Sequence, residues 1–183
     1  MASEYLIKGA DHILTMDDDR RELAGADILL RDGVIAEIGQ GLSSPVEVVW
    51  AKGCVVTPGL VNSHHHLYQT LTRAGPGGQD ALLFGWLQTL YPIWQRFGPE
   101  EMHVSAQIGL AELALSGCTL SSDHLYLYPN GARLDDTIAA AQEIGLRFHA
   151  TRGAMSIGES DGGLPPDDLV EQESAILEDS IRV

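Results

Sequence analysis

The feature that most constrains this chain is a change of rhythm near Val55. From there to the end, apolar runs of strand length alternate with amphipathic stretches of helix length. "VVTPGLVN" precedes "GPEEMHVSAQIGLAELALSG"; "CTLSSDHLYLY" precedes "LDDTIAAAQEIG"; "LRFHATRGAM" precedes "LPPDDLVEQESAILEDSIRV". Such alternation predicts parallel βα units, a sheet whose faces are covered by the intervening helices. The punctuation agrees. Pro99 suits a first helical turn, Glu100 and Glu101 complement the N-terminal dipole, and Gly117 and Gly145 end the first two helices after the change. Pro165 and Pro166 mark the entry to the third.

Before Val55 the pattern is different. "YLIKGADHILTM", "ADILLRDGVIAEIGQGL" and "VEVVW" are short apolar runs broken by turns. Asp32-Gly33 is a two-residue hairpin signal, because both central positions of that turn need positive φ, and Lys52-Gly53 marks another turn. The expectation is a small β-domain over residues 1–54 followed by an α/β domain over residues 55–183. "MDDDRRE" at 16–22 lacks the alternating ligands and glycine of a calcium loop and reads as a solvated turn.

Composition narrows the partners. A formal charge of −15 with only 11 Lys and Arg excludes an electrostatic nucleic-acid surface. No apolar run is long enough for a bilayer, and the amino terminus has no basic region ahead of an apolar stretch, so the expected location is the cytoplasm with no membrane contact. Cys54 and Cys118 sit far apart in apolar segments and are expected as buried thiols.

The apolar run after Val55 ends at "VNSHHHLYQT". In an extended strand, alternate side chains share a face, so His64 and His66 point one way and His65 the other. An apolar strand would bury both rings, and burial keeps imidazole neutral, the form that binds a divalent ion. The segment that follows, "LTRAGPGGQDALLFGWLQTLYPIWQRFGPEE", is long and carries Trp86, Tyr91 and Trp94. Long βα insertions often cover a site, although each aromatic taken singly is better read as packing.

"TPGLVNSHHH" resembles the P-G-[LF]-[IV]-[DN]-x-H-x-H signature at the first barrel strand of the amidohydrolase superfamily, with "GCTLSSDH" and "GLRFHATRG" at the positions of strands two and three. "HHHLYQTLTR" and "RFHATRGAMSIGESDGGLPPD" are most similar to the group of 8-oxoguanine deaminases and hydroxydechloroatrazine ethylaminohydrolases. The resemblance covers nearly all of the chain. It implies the N-terminal part of a (β/α)8 TIM-like barrel preceded by part of a small β-sandwich. It also implies that His64 and His66 hold one zinc, or iron, and that Gln69 binds a purine. The implied reaction is hydrolytic deamination, in which a metal-activated water adds to the amino-bearing carbon and ammonia leaves; 8-oxoguanine would give urate. His65 takes no role from the family. His124 and Arg152 lie near strand ends, where they either face the barrel mouth or serve the structure, and His12, His103 and His149 read as structural.

The span 55–183 is about half of the roughly 250 residues that such a barrel takes, enough for about three βα units. The family's remaining ligands, a histidine at strand five and an aspartate at strand eight, and its proton-shuttling glutamate cannot be placed in this sequence. The chain is therefore expected to be the amino-terminal portion of a larger enzyme, with no catalytic residue of its own, inactive alone, and exposing open strand edges. The alternatives are an s-triazine amino- or chlorohydrolase of the same superfamily, or a catalytically incomplete fragment. A partner chain in a homo-oligomer would help bury the aromatic insertion.

Overall fold

A computed structural model describes residues 4–183. The chain is α/β and divides into two compact units, Met1–Pro58 and Gly59–Val183. Among the described residues no helix is long and apolar enough to cross a membrane.

The first unit is one five-stranded sheet. Strands β1 (Glu4–Leu14), β2 (Glu22–Arg31), β3 (Val34–Gly39) and β4 (Glu47–Trp50) lie in the order β3-β2-β1-β4, and β5 (Val55–Val56) also pairs with β1. The β2–β3 hairpin turns at Asp32 (φ 52°) and Gly33 (φ 77°), the two positive angles expected of the type I′ turn. Ala10, Ile13, Ala26, Ile28 and Ala51 form its core. Asp27 is buried and accepts hydrogen bonds from the amides of Gly9 (2.7 Å) and Leu42 (2.9 Å), where β1 departs from regular register. The acidic run at 16–22 closes the β1–β2 connection: Asp17 accepts from the Arg21 side chain, and hydrogen bonds from Thr15 and Arg21 lower its pKa to about 2. One expectation fails here. Cys54 is exposed, because it sits between the Lys52-Gly53 turn and β5 with its carbonyl receiving the Asp11 amide, and only Cys118 is buried.

The second unit carries a three-stranded parallel sheet, β6 (Leu60–Asn62), β7 (Cys118–Leu125) and β8 (Arg147–Arg152), in that order. Helices α1 (Leu83–Trp94) and α2 (Pro99–Leu115) connect β6 to β7, α3 (Leu134–Ile144) connects β7 to β8, and α4 (Glu173–Arg182) follows. The Gly98 amide donates to Glu101 Oε2 (2.8 Å) at the start of α2, and the Arg133 amide donates to Asp136 Oδ2 (2.7 Å) at the start of α3. Both satisfy amides that a helix leaves without intrahelical partners. Gly145 (φ 77°) closes α3 in the left-handed region.

Alternation along β7 divides two environments. Ser121, Asp123 and Leu125 are buried against the helices, whereas His124 faces outward. Tyr68, Tyr91, Trp94, Phe97, Met102, Leu125 and Leu127 form one apolar cluster, so Tyr91, Trp94 and Phe97 of the aromatic insertion are core, whereas its Leu82, Leu83 and Phe84 are exposed. The last of the three helices expected after Val55, α4 in the structure, begins later than its prolines suggest. Residues 166–172 form a short 3-10 turn, Asp167–Leu169, and then an extended stretch whose Glu171 amide bonds the Met155 carbonyl (2.8 Å), so α4 starts at Glu173. Arg152 fixes this path. Its guanidinium is 5% exposed, donates to Glu171 (2.6 Å) and Asp179 (3.2 Å), and lies 4.4 Å from the centroid of the Tyr128 ring.

Candidate functional site

Strand β6 ends at Asn62, so the three histidines lie beyond it, in the link to a 3-10 helix at Leu67–Thr72. This corrects the expectation of histidines within a burying strand: His64 is exposed, and His65 and His66 are half-buried. The link is held by its neighbours on every side. The His64 amide donates to Asn62 Oδ1 (3.2 Å), and the His124 amide donates to the His65 carbonyl (2.8 Å), which extends the β6–β7 contact past the strand. The Leu67 amide donates to Asp123 Oδ1 (2.8 Å), and the Ser105 hydroxyl donates to the Leu67 carbonyl (2.6 Å).

The side chains separate as alternation predicts. The rings of His64 and His66 lie 5.0 Å apart, centroid to centroid, and perpendicular. His65 turns toward α2, where its Cε1 is 4.0 Å from the place a Cβ on Gly109 would occupy. Burial, and then the charge of His66, lower the His65 pKa, and its buried Nδ1 has no partner among the described residues.

His66 Nδ1 is 2.7 Å from the His124 carbonyl oxygen. A carbonyl only accepts, so Nδ1 carries the hydrogen and the neutral ring presents its Nε2 lone pair. A backbone acceptor behind one ring nitrogen is a frequent support for a metal-binding imidazole. His64 and His66 therefore have the chemistry to hold a divalent ion together. They are not enough alone, since a catalytic zinc normally takes three protein ligands, and no group of three or more His, Cys, Asp or Glu is arranged to hold an ion among the described residues.

Gln69 lies on the 3-10 helix, and the cavity beside it, about 400 Å³, is lined by His64, His66, Gln69, Arg73 and Trp86 among others. Behind Gln69 stands an aromatic stack. Tyr68 is buried, with Trp94 at 5.1 Å and Tyr126 at 5.5 Å between centroids. Trp86 packs on Trp94 (5.4 Å) and on Gly78, where a Cβ would come within 2.9 Å of the indole.

The other polar residues sort clearly. The His124 ring is 5.3 Å from that of His66, and burial lowers its pKa. Arg152 is engaged by Glu171 and Asp179 on the opposite side of the sheet and is structural. His103 bonds the Asp136 carbonyl and Glu143. His149 is exposed, and His12 sits in the first unit's sheet. Asp123 and Tyr126 were not singled out from sequence; Asp123 lies on the buried face of β7, and Tyr126 follows the strand's last residue, Leu125. Asp123 is fully buried, and desolvation raises its pKa to about 6 despite hydrogen bonds from the Leu67 and His124 amides.

Residues 55–182 match the Amidohydrolase family. The chain belongs to that family. It is 46% identical over 166 residues to an 8-oxoguanine deaminase of Pseudomonas aeruginosa, covering 87% of this chain and 37% of that protein. It is 34% identical over 194 residues to a hydroxydechloroatrazine ethylaminohydrolase of Pseudomonas sp. (strain ADP), covering 97% of this chain and 40% of that protein. Among solved structures, the atrazine chlorohydrolase of Arthrobacter aurescens TC1 complexed with zinc superposes with a TM-score of 0.85 at 34% identity, over 95% of this chain and 41% of that one. The chain thus spans about two fifths of the length of these relatives.

Proposed function

We propose that the protein to which this chain belongs is a metal-dependent aminohydrolase that removes the exocyclic amino group of an oxidised purine, converting 8-oxoguanine to urate and ammonia. One observation carries the reading: the 46% identity to an 8-oxoguanine deaminase extends across a stretch in which His64, His66 and Gln69 line one cavity. In this reading β6, β7 and β8 are the first three strands of a (β/α)8 barrel, and the N-terminal sheet is part of a β-sandwich. The two domains divide after Pro58, with Val55–Val56 in the first, rather than after Cys54, and the protein works in the cytoplasm.

His64 and His66 are two ligands of one ion. Likeness to a zinc-complexed chlorohydrolase favours zinc, with iron as the other candidate. When bound, the ion supplies the Lewis acidity that makes water a nucleophile near neutral pH. The chain's own residues prepare the ground for it. The His124 carbonyl fixes the tautomer of His66, the Asp123 carboxylate pins the Leu67 amide that follows, and Gln69 with the cavity wall orients a planar ring. Proton transfer to the leaving ammonia belongs to residues outside this chain, so the 183 residues alone are inactive.

A second reading, hydrolysis of an s-triazine, is favoured by the superposition on triazine hydrolases. The deciding experiment measures metal content of the whole purified protein and assays urate from 8-oxoguanine beside alkylamine or chloride release from triazines. Urate formation with about one divalent ion per chain supports the purine reading, and turnover of triazines alone overturns it.

A further inference from the structure

The 3-10 helix that carries Gln69 is tied to α1 by a hydrogen-bond relay whose direction is fixed by the groups in it. The Trp94 indole Nε1 lies 3.0 Å from Thr72 Oγ1, and Thr72 Oγ1 lies 3.0 Å from the Gln69 backbone carbonyl oxygen. An indole nitrogen only donates and a carbonyl only accepts. The Thr72 hydroxyl therefore accepts from Trp94 and gives its one hydrogen to Gln69. A threonine bonding the carbonyl three residues back is ordinary in a helical turn. An indole reaching that hydroxyl from another element is not a local device.

Trp94 is completely buried, and its ring meets those of Tyr68 (5.1 Å) and Trp86 (5.4 Å) edge to face. Trp86 lines the same cavity as Gln69 and Thr72. One buried residue thus supports two walls of the cavity, Trp86 through its ring and the Gln69 backbone through Thr72. The histidine link has supports of its own: the His124 carbonyl holds the His66 ring, and Asp123 and Ser105 hold Leu67.

We propose that Thr72 and Trp94 are positioning residues that set the spacing of Gln69 against Trp86, so that the fit of the heterocycle depends on this relay while the placement of His64 and His66 does not. The proposal deepens the purine or triazine reading of the cavity and rests on it. Removing the Thr72 hydroxyl leaves a buried indole N–H and the Gln69 carbonyl each without this partner, and relaxation of the turn is the way to recover one. Gln69 then meets the substrate ring at the wrong distance, and small misplacements of a substrate-holding group are costly.

The test uses the whole protein as wild type, Thr72→Val, Thr72→Ser, Trp94→Phe and the double variant Thr72→Val/Trp94→Phe. Thr72→Val keeps the side-chain shape and breaks the relay, whereas Thr72→Ser keeps the hydroxyl. With 8-oxoguanine, Thr72→Val should raise KM about three- to tenfold and change kcat less, at wild-type metal content by elemental analysis. Thr72→Ser should restore most of the wild-type KM. Trp94→Phe should also raise KM, and the double variant should raise it little further, because both changes break one relay. An unchanged KM in Thr72→Val overturns the proposal, as does metal lost in step with the rise in KM. A second readout is independent of substrate. Crystal structures of the wild type and Thr72→Val should show Gln69 displaced relative to Trp86 with His64 and His66 in place, and coincident Gln69 backbones overturn the relay. A wild type that does not turn over 8-oxoguanine, together with that displacement in Thr72→Val, supports the relay and overturns the purine reading instead.

Discussion

His66 and His124 are joined ring to backbone, with Nδ1 of the first donating to the carbonyl oxygen of the second across 2.7 Å. The bond links the end of β6 to β7 and leaves Nε2 as the ring's only acceptor. In the whole protein, His64→Ala and His66→Ala are each expected to bring divalent-metal content well below one ion per chain, since a missing ligand opens a site that other residues do not complete. Elemental analysis beside circular dichroism separates loss of metal from loss of fold, and full metal occupancy in both variants would remove these histidines from the site.

Gly109 lets α2 approach the histidine link. A Cβ there would lie 2.7 Å from Leu67 Cδ2 and 2.9 Å from Thr70 Oγ1. Gly109→Ala gains helix propensity but overpacks a closed contact, so a net loss of about 1–3 kcal/mol is expected, read as a lower denaturant midpoint. An unchanged or raised midpoint would mean that the 3-10 helix yields at little cost.

Asp123 gives a pH signature. Its folded pKa, about 6, lies above the unfolded carboxylate value of 3.8. The folded state therefore binds the proton more tightly, and the stability linked to this group is fully present below the unfolded value and is lost as pH rises through about 6. The loss is on the order of 3 kcal/mol. Asp123→Asn should flatten this slope between pH 4 and 7 in urea titrations, and a slope equal to that of the wild type would assign the pH dependence elsewhere.

Arg152 joins three elements from a nearly closed position, with Glu171 Oε2 also buried and unpartnered. Arg152→Ala would strand the Glu171 carboxylate, while Asp179 keeps its bond from Arg182 (2.8 Å), at a cost of about 3 kcal/mol. Arg152→Lys should recover only part of this, because one ammonium does not span both partners as the guanidinium does. Thermal melts of the two variants would check the order.

Much of the fold could be read from local chemistry. Asp32-Gly33 demanded a type I′ turn, Gly145 demanded a left-handed helix end, and the strand–helix rhythm gave the parallel sheet; each rests on residues adjacent in sequence. What failed depended on distant partners. The start of α4 is set by Arg152 capturing Glu171, nineteen positions away, and no local signal at Pro165-Pro166 reports that. Cys54 looked apolar by its neighbours, but its exposure follows from how β5 is added to β1. The candidate site was half legible. The H-x-H spacing brought His64 and His66 forward, while Asp123, Tyr68 and Tyr126 emerge only when β7 is laid beside the histidine link.

The Met155–Glu171 hydrogen bond closes the segment between them into a loop whose two ends meet. Its middle, around Glu159–Asp161, is exposed, and the Ser160 hydroxyl bonds Asp167 within the segment, whereas Leu164 and Leu169 pack into the main apolar cluster and Asp168 accepts from Gln95. Residues can be inserted or deleted at its tip without moving the strands below, so this is the place where a protein engineer could graft a new wall or label onto this scaffold while leaving the histidine link undisturbed.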